Sequence, residues 1–195
     1  HGVPIGGQRL VATVGGGHVE SATLIVVPNA LKLPILESSR RVWGVNAQLY
    51  STRSASSWGI GDAADLADLA AVCADKGADF LLVNPVHASQ PVSPLETSPY
   101  LPVSRRWLNP FYIRPESIEE YASLPQASRA AIERLSDETR QFATREDLID
   151  RDRSWEAKRE ALEVIFAAPR SYHRQSQLDR FIERGGSELS NYALW

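Results

Sequence analysis

The sequence predicts an α/β fold with parallel strand pairing, and three segments predict it. Val42–Tyr50 is a nearly continuous strand-forming run, as in a strand buried on both faces. Asp62 opens a helix that reaches about Lys76, with Leu66, Leu69, Ala70 and Cys73 at i, i+3, i+4 and i+7. Asp79–Asn84 is the next apolar strand. Strand, helix, strand over about forty residues is a βαβ unit, which sets two parallel strands side by side.

The other elements follow in order. Arg9–Val14 alternates in the strand period, Gly15-Gly16-Gly17 is a turn signal, and Ser21–Val27 is a second strand. Residues 1–36 are thus expected to be the C-terminal part of a small β-sandwich module. Pro28, Pro34 and Ser38–Arg41 form a linker into residues 37–195. Gly77 supplies the stop after the Asp62 helix. A long proline-rich loop, Pro85–Tyr112, is anchored by Trp107 and Phe111; loops of that length inside compact domains are usually functional. From Pro115 the chain reads as helices over Ile118–Leu124, Ala130–Phe142, Asp150–Ala168, Gln177–Glu183 and Ser187–Trp195. The clearest is Asp150–Ala168, with the stripe Trp155, Lys158/Arg159, Leu162 and Ile165/Phe166.

Composition excludes several function classes. With 195 residues, 43% hydrophobic and 23% charged, this is ordinary globular material. A net charge of −3 argues against a nucleic-acid footprint, which needs a basic face. A single cysteine excludes an internal disulfide framework and a cysteine-rich zinc module. The longest apolar runs, such as Leu24–Pro28 and Phe80–Val83, fall far short of the ~20 residues of a membrane span, so no membrane partner is expected. No signal peptide is visible, no methionine is present, and the last residues read as an uncapped helix; the chain is expected to be a piece of a longer protein.

Several residues are candidates for chemistry. Gly59-Ile60-Gly61-Asp62-Ala63-Ala64 fits a loose G-x-G-x-x-A nucleotide fingerprint, which would make this a nucleotide-dependent α/β enzyme. The glycines come about eight residues too late after the strand, however, and Asn84 stands where a ribose-binding acid belongs. Two turn glycines followed by Asp62 as N-cap is the simpler reading. His1, His18 and His173 lie in turns or beyond a helix, and no pair has metal-ligand spacing, so no metal is expected. His87 follows the carboxyl end of the second strand, where parallel α/β folds bind ligands, so it is either a loop anchor or a site residue. Cys73 reads as a small core residue. The Pro85–Tyr112 loop combines aromatics with Ser98, Tyr100, Arg105, Arg106 and Asn109. Aromatic faces with neighbouring hydroxyls and amides suit a neutral sugar, while the alternative is a stiffened loop whose aromatics only pack it down.

The same segments carry a family resemblance. Arg41-Val42-Trp43-Gly44-Val45-Asn46-Ala47-Gln48-Leu49-Tyr50-Ser51, Ser57-Trp58-Gly59-Ile60-Gly61-Asp62, Gly77–Ala88 and Ser98-Pro99-Tyr100-Leu101-Pro102-Val103-Ser104-Arg105-Arg106-Trp107-Leu108-Asn109-Pro110 resemble the amylomaltases. These are the 4-α-glucanotransferases of glycoside hydrolase family seventy-seven. Ile149-Asp150 with Lys158 and Leu162, and Phe181, Leu189 and Tyr192-Ala193, resemble the family as well. The resemblance implies the beginning of a (β/α)₈ TIM barrel: its first two strands with a long substrate loop and a helical insertion. It implies cytoplasmic transfer of α-1,4-glucan segments between maltodextrins, by retaining double displacement and without a cofactor. Ser98 and Tyr100 match the family's Ser-Pro-Tyr motif at the cleft, and Asn84, His87 and Asn109 match positions around it. Retaining chemistry needs two carboxylates ~5–5.5 Å apart. Glu146-Asp147-Leu148 resembles one of the family's acidic motifs, but Ile149 follows where glycine belongs. No catalytic residue is therefore assigned to this chain; its expected partners are maltooligosaccharides and the rest of its own polypeptide. A non-catalytic glucan-binding module is the alternative.

Overall fold

The computed structural model describes residues 2–33, 37, 40–143 and 148–194. The linker residues 34–36 and 38–39, and Glu146-Asp147, lie outside these. Two compact units divide the chain, His1–Val42 and Trp43–Trp195.

The first unit contains an antiparallel hairpin, β1 (Gly6–Val14) and β2 (His18–Val26), in continuous register from Gly6 opposite Val26 to Val14 opposite His18. Both strands begin three residues earlier than the alternation predicts, and His18 opens a strand instead of sitting in the turn. Its ring lies 2.8 Å from Glu20. Leu10, Val11, Val14, Val19 and Ile25 are exposed, so the ribbon is held by its ladder and not by a core of its own.

The second unit opens with the βαβ motif. β3 (Gly44–Ala47) pairs parallel to β4 (Phe80–Val83), Gly44 opposite Phe80, and α1 (Ala63–Asp75) connects them. β3 is shorter than the apolar run because the Gln48 carbonyl accepts from both Ser51 N and Thr52 N, closing a 3₁₀ turn over Leu49–Ser51. Asp62 caps α1 reciprocally. Its carboxylate accepts from Ala64 N and Asp65 N, and Asp65 accepts from Asp62 N at 3.0 Å.

Gly61 is required for a different reason than phosphate binding. A Cβ there would stand 1.9 Å from the Leu49 carbonyl oxygen and 2.1 Å from that of Thr52. Both are backbone atoms that cannot swing away. Gly61→Ala is expected to cost roughly 3 kcal/mol or more, from forced backbone displacement; an unchanged urea-unfolding midpoint would show that the turn yields.

The long loop is not wholly irregular. It folds into a short antiparallel pair, β5 (His87–Ala88) against β6 (Ser104–Leu108), with a register shift. Short 3₁₀ turns at Pro110–Tyr112 and Pro115–Ser117 lead into α2 (Glu119–Ala122), α3 (Gln126–Ala143), α4 (Arg151–Phe166) and α5 (Tyr172–Leu194). The two C-terminal helices expected from sequence are one element broken at Gly186, at φ +51°. α4 is capped by Asp150, whose carboxylate accepts from Arg153 N.

The core has two parts. Trp58 packs with Leu124, Ile132, Ala161, Ile165 and Ala168, and its indole N–H donates to the Glu116 carboxylate. Ile60, Phe111 and Trp155 form the second cluster. Phe166, placed on the α4 stripe, is exposed instead, and Ile165 takes the inner position. Cys73 is buried. Phe80 and Leu82, on one face of the open two-stranded sheet, are exposed. Among the described residues no helix is long and apolar enough to cross a membrane.

Candidate functional site

A cleft of about 560 Å³, its open mouth included, is lined by residues that follow β3 and β4 and by the start of α4. Ligands gather beyond the carboxyl ends of parallel strands in such folds. Tyr50 comes from the 3₁₀ turn after β3, His87 and Ser89 from beyond β4, Ser98 from the long loop, Asn109, Phe111 and Tyr112 from the later 3₁₀ turn, and Arg151 and Trp155 from α4.

The structure therefore brings His87, Ser98 and Asn109 together. The Ser98 N–H donates to Glu96 at 2.9 Å, which fixes the loop's approach to Tyr100. Asn109 does two structural jobs while facing the cleft. Its side-chain oxygen Oδ1 accepts from Phe111 N, and its side-chain amide Nδ2 donates to Ser89 Oγ. His87 is half-buried at the start of β5.

Tyr100 and Asn84 sit differently. Tyr100 does not line the cleft; it stands beside it, with the residue 54% exposed. Its hydroxyl is tethered to the Gln48 carboxamide, 3.2 Å from Nε2 and 3.3 Å from Oε1. Asn84 is buried beneath the cleft. Its Oδ1 accepts from Leu49 N at 2.6 Å, and its Nδ2 donates to the Pro85 carbonyl and to the Tyr112 hydroxyl at 3.1 Å. Every polar atom of that side chain is engaged, so it ties the turn after β3 to Tyr112. Of the loop's other candidates, Arg105 and Arg106 lie on β6, exposed. Trp107 stacks on Tyr192 at 5.7 Å, away from the cleft.

Sequence reasoning missed Tyr50, Tyr112, Arg151 and the position of Trp155. Arg151 lies over the Tyr50 ring at 5.3 Å. Trp155 meets Phe111 edge-to-face at 6.1 Å, and its indole donates to the Pro91 carbonyl. Burial pushes the Tyr112 phenol up, only partly offset by Asn84 and Arg151, so it remains protonated across the neutral range.

Behind the cleft lies a buried ionic cluster. Arg114 bridges Asp62 and Asp65 at 2.9 and 2.8 Å. Lys158, fully buried, donates to the Phe111 carbonyl at 2.8 Å and lies 3.7 Å from Asp62. Burial of Asp65 raises its pKa, but hydrogen bonds from Ser54, Ser57 and Arg114 outweigh that and hold it below the usual carboxylate range. The amide groups at the start of α1 are thus satisfied by the chain's own acids, and two carboxylates stand where a nucleotide would need its phosphates. The glycine fingerprint is a turn. Among the described residues, no group of three or more His, Cys, Asp or Glu could hold a metal ion.

Burial pushes the Lys158 ammonium down to about 8, with Asp62 opposing and Arg114 adding to the shift. Below that value both folded and unfolded chains hold the proton, and the folded state carries the desolvation cost. Between about 8 and the unfolded value of 10.5 the unfolded chain binds more protons, so stability rises with pH. The full gain is on the order of 3 kcal/mol. Urea midpoints of the full-length protein at pH 7.5 and 9.5 should show part of it, and Lys158→Met should lack it. Equal pH slopes in both proteins would exclude Lys158 as the source.

Comparison with known proteins identifies the family. A profile of the 4-alpha-glucanotransferase family matches residues 47–195. The chain is 44% identical over 200 aligned residues to the 4-alpha-glucanotransferase of Mycobacterium tuberculosis, covering 99% of this chain and 27% of that protein. It is 47% identical over 98 residues to the 4-alpha-glucanotransferase of Haemophilus influenzae, covering 50% of this chain and 14% of that one. The crystal structure of amylomaltase from Corynebacterium glutamicum superposes with a TM-score of 0.87 at 39% identity, again over 99% of this chain and 27% of that one. The chain spans about a quarter of the length of these full matches, and its mixed α/β architecture is that of the corresponding part of an amylomaltase. With three quarters of its length covered by the family profile and its cleft at the ends of a parallel strand pair, this chain belongs to the 4-alpha-glucanotransferase family.

Proposed function

We propose that the protein containing this chain transfers α-1,4-glucan segments between maltodextrins by retaining double displacement, and that this chain supplies one wall of the acceptor–donor cleft. The observation that carries the reading is the placement of Ser98-Pro99-Tyr100. The Ser98 end lines the cleft, and Tyr100 beside it is held by Gln48 from the carboxyl end of β3. A neutral sugar presents an apolar C–H face and a fringe of hydroxyls. Tyr50, Tyr112 and Trp155 offer rings for the first, while Ser98, His87 and Asn109 offer polar groups for the second.

In this reading residues 37–195 are the first part of a (β/α)₈ catalytic barrel, and residues 1–36 the C-terminal part of a β-sandwich module. β3 and β4 are the first two barrel strands, and the two halves of the cleft meet when the rest of the polypeptide is present. Ser98, Tyr100, His87 and Asn109 contact glucan, and Asn84 holds the wall they stand on. Carboxylate nucleophile and acid/base chemistry needs no cofactor. The substrate is cytoplasmic maltodextrin.

Tyr100→Ala in the full-length enzyme tests the assignment. Losing a stacking or hydrogen-bonding contact near the reacting sugar costs about 0.5–3 kcal/mol in typical cases, hence roughly twofold to more than a hundredfold in kcat/KM. Because the ring is half-exposed, the thermal midpoint should barely move. Disproportionation of maltotriose at wild-type kcat/KM would remove Tyr100 from the site.

A further inference from the structure

We infer that Lys158 is a positioning residue for the cleft: its ammonium clamps the Pro110–Tyr112 turn against the amino end of α1, and the cleft wall holds its glucan-binding shape only while that clamp is charged. The inference rests on the glucan reading above and adds to it a residue that touches no substrate.

The geometry concentrates on one carbonyl. Lys158 Nζ lies 2.8 Å from the Phe111 oxygen, at the middle of the turn. Asn109 caps that turn and lines the cleft. Tyr112, the next residue, is joined through Asn84 to Leu49 N, directly before Tyr50. A shift of the Phe111 carbonyl therefore moves Asn109, Phe111 and Tyr112 together, and strains the link to Tyr50. From the same helix, Trp155 packs against the Phe111 ring one turn earlier. The ammonium also stands 5.7 Å from that ring's centroid.

Stability alone does not account for a lysine here. Replacing a buried ion pair with apolar side chains of similar volume is often neutral or stabilising, because desolvating the charges offsets their attraction. A methionine at 158 with an apolar partner at 62 would fill the same space without that cost, yet methionine could not donate to the Phe111 carbonyl. The charged groups facing Nζ are Asp62 and Asp65 at the start of α1 and Arg114 after the turn. The ammonium's depressed affinity for its proton puts loss of the clamp within reach of mildly alkaline solution. The Tyr112 phenol titrates above its ordinary range and leaves that window clear.

The test uses the full-length enzyme and maltotriose, with affinity followed by tryptophan fluorescence and stability by urea unfolding. Wild-type affinity should fall roughly tenfold between pH 7 and 9.5, with a midpoint near 8, the difference between a charge-assisted and a neutral hydrogen bond. Stability should rise over the same window, the opposite sign. A purely structural lysine would move both together. Lys158→Met should be folded, weaker in binding by a similar factor, and flat with pH. Wild-type-like binding in Lys158→Met, or affinity and stability falling in step, would overturn the inference. Should that variant not fold, a flat wild-type affinity from pH 7 to 9.5 would overturn it alone. A wild-type enzyme that transfers no glucan at pH 7 would instead remove the glucan reading, and this inference with it.

Discussion

Maltotriose incubated with the purified 195-residue chain alone is expected to remain maltotriose. Double displacement needs a carboxylate nucleophile and a second carboxylic acid ~5–5.5 Å away. Among the described residues, the cleft lining contains one carboxylate, Glu96, and that group is already accepting from Ser98 N. Asp152, nearby, is occupied by Ser93 Oγ and Leu95 N, which draw its pKa below the ordinary carboxylate value; it is a poor proton donor at neutral pH. A single carboxylate can neither form the glycosyl ester nor share the proton transfers. Removing such groups from hydrolytic enzymes costs many orders of magnitude and leaves what binding and orientation supply. Chromatography of the incubation is the check. Glucose and longer maltodextrins forming in proportion to chain concentration would place the chemistry here after all.

The second large effect is on stability. Asp62→Ala should destabilise the full-length protein by about 4 kcal/mol or more. The cap on α1 accounts for ~1 kcal/mol of this. The remainder comes from Arg114 and Lys158, left in the interior with one acid between them; breaking a buried pair from one side typically costs 3–5 kcal/mol. Asp62→Asn separates the contributions, since the amide oxygen keeps the cap and loses the charge. Adding Lys158→Met to Asp62→Ala should recover part of the loss by removing one stranded cation. A loss below about 1 kcal/mol for Asp62→Ala in urea unfolding would mean that Asp65 alone holds both cations.

Local features were legible where the chemistry is local. Asp62 announced itself as a cap by following two turn glycines and opening the apolar stripe that starts at Leu66, and Gly77 marked the stop. The parallel pairing of Gly44–Ala47 with Phe80–Val83 followed from two apolar runs and one helix between them. What stayed hidden depends on contacts distant in sequence. Arg114 reaches Asp62 across 52 positions and Lys158 reaches Phe111 across 47, and no local pattern encodes either. A signal did exist for Lys158: a lysine inside the stripe that carries Trp155, Leu162 and Ile165 must either snorkel outward or find acids within. The β5–β6 pair was invisible because Pro85–Tyr112 is so rich in prolines that it reads as loop. The partners in that pair are distant, with a register shift between them. For Asn84 the motif indicated the neighbourhood, while burial and three hydrogen bonds set what the side chain does there.

Translation gives the open β3–β4 pair a history. At about 5–20 residues per second, the ribosome needs roughly 5 to 20 s to make the residues from Asn84 to the end of this chain. The capped α1 can bring β3 and β4 together during that interval, since all three elements lie within residues 44–83. The nascent pair then faces solvent through Phe80 and Leu82, an adhesive surface next to unpaired strand edges. Two features limit the hazard. Each strand offers only four residues to a foreign partner, and charges stand guard ahead of both: Arg41 before the first, Asp75 and Lys76 before the second. Substitutions that neutralise those sentinels should therefore lower soluble yield during expression while leaving the finished enzyme's kinetics alone.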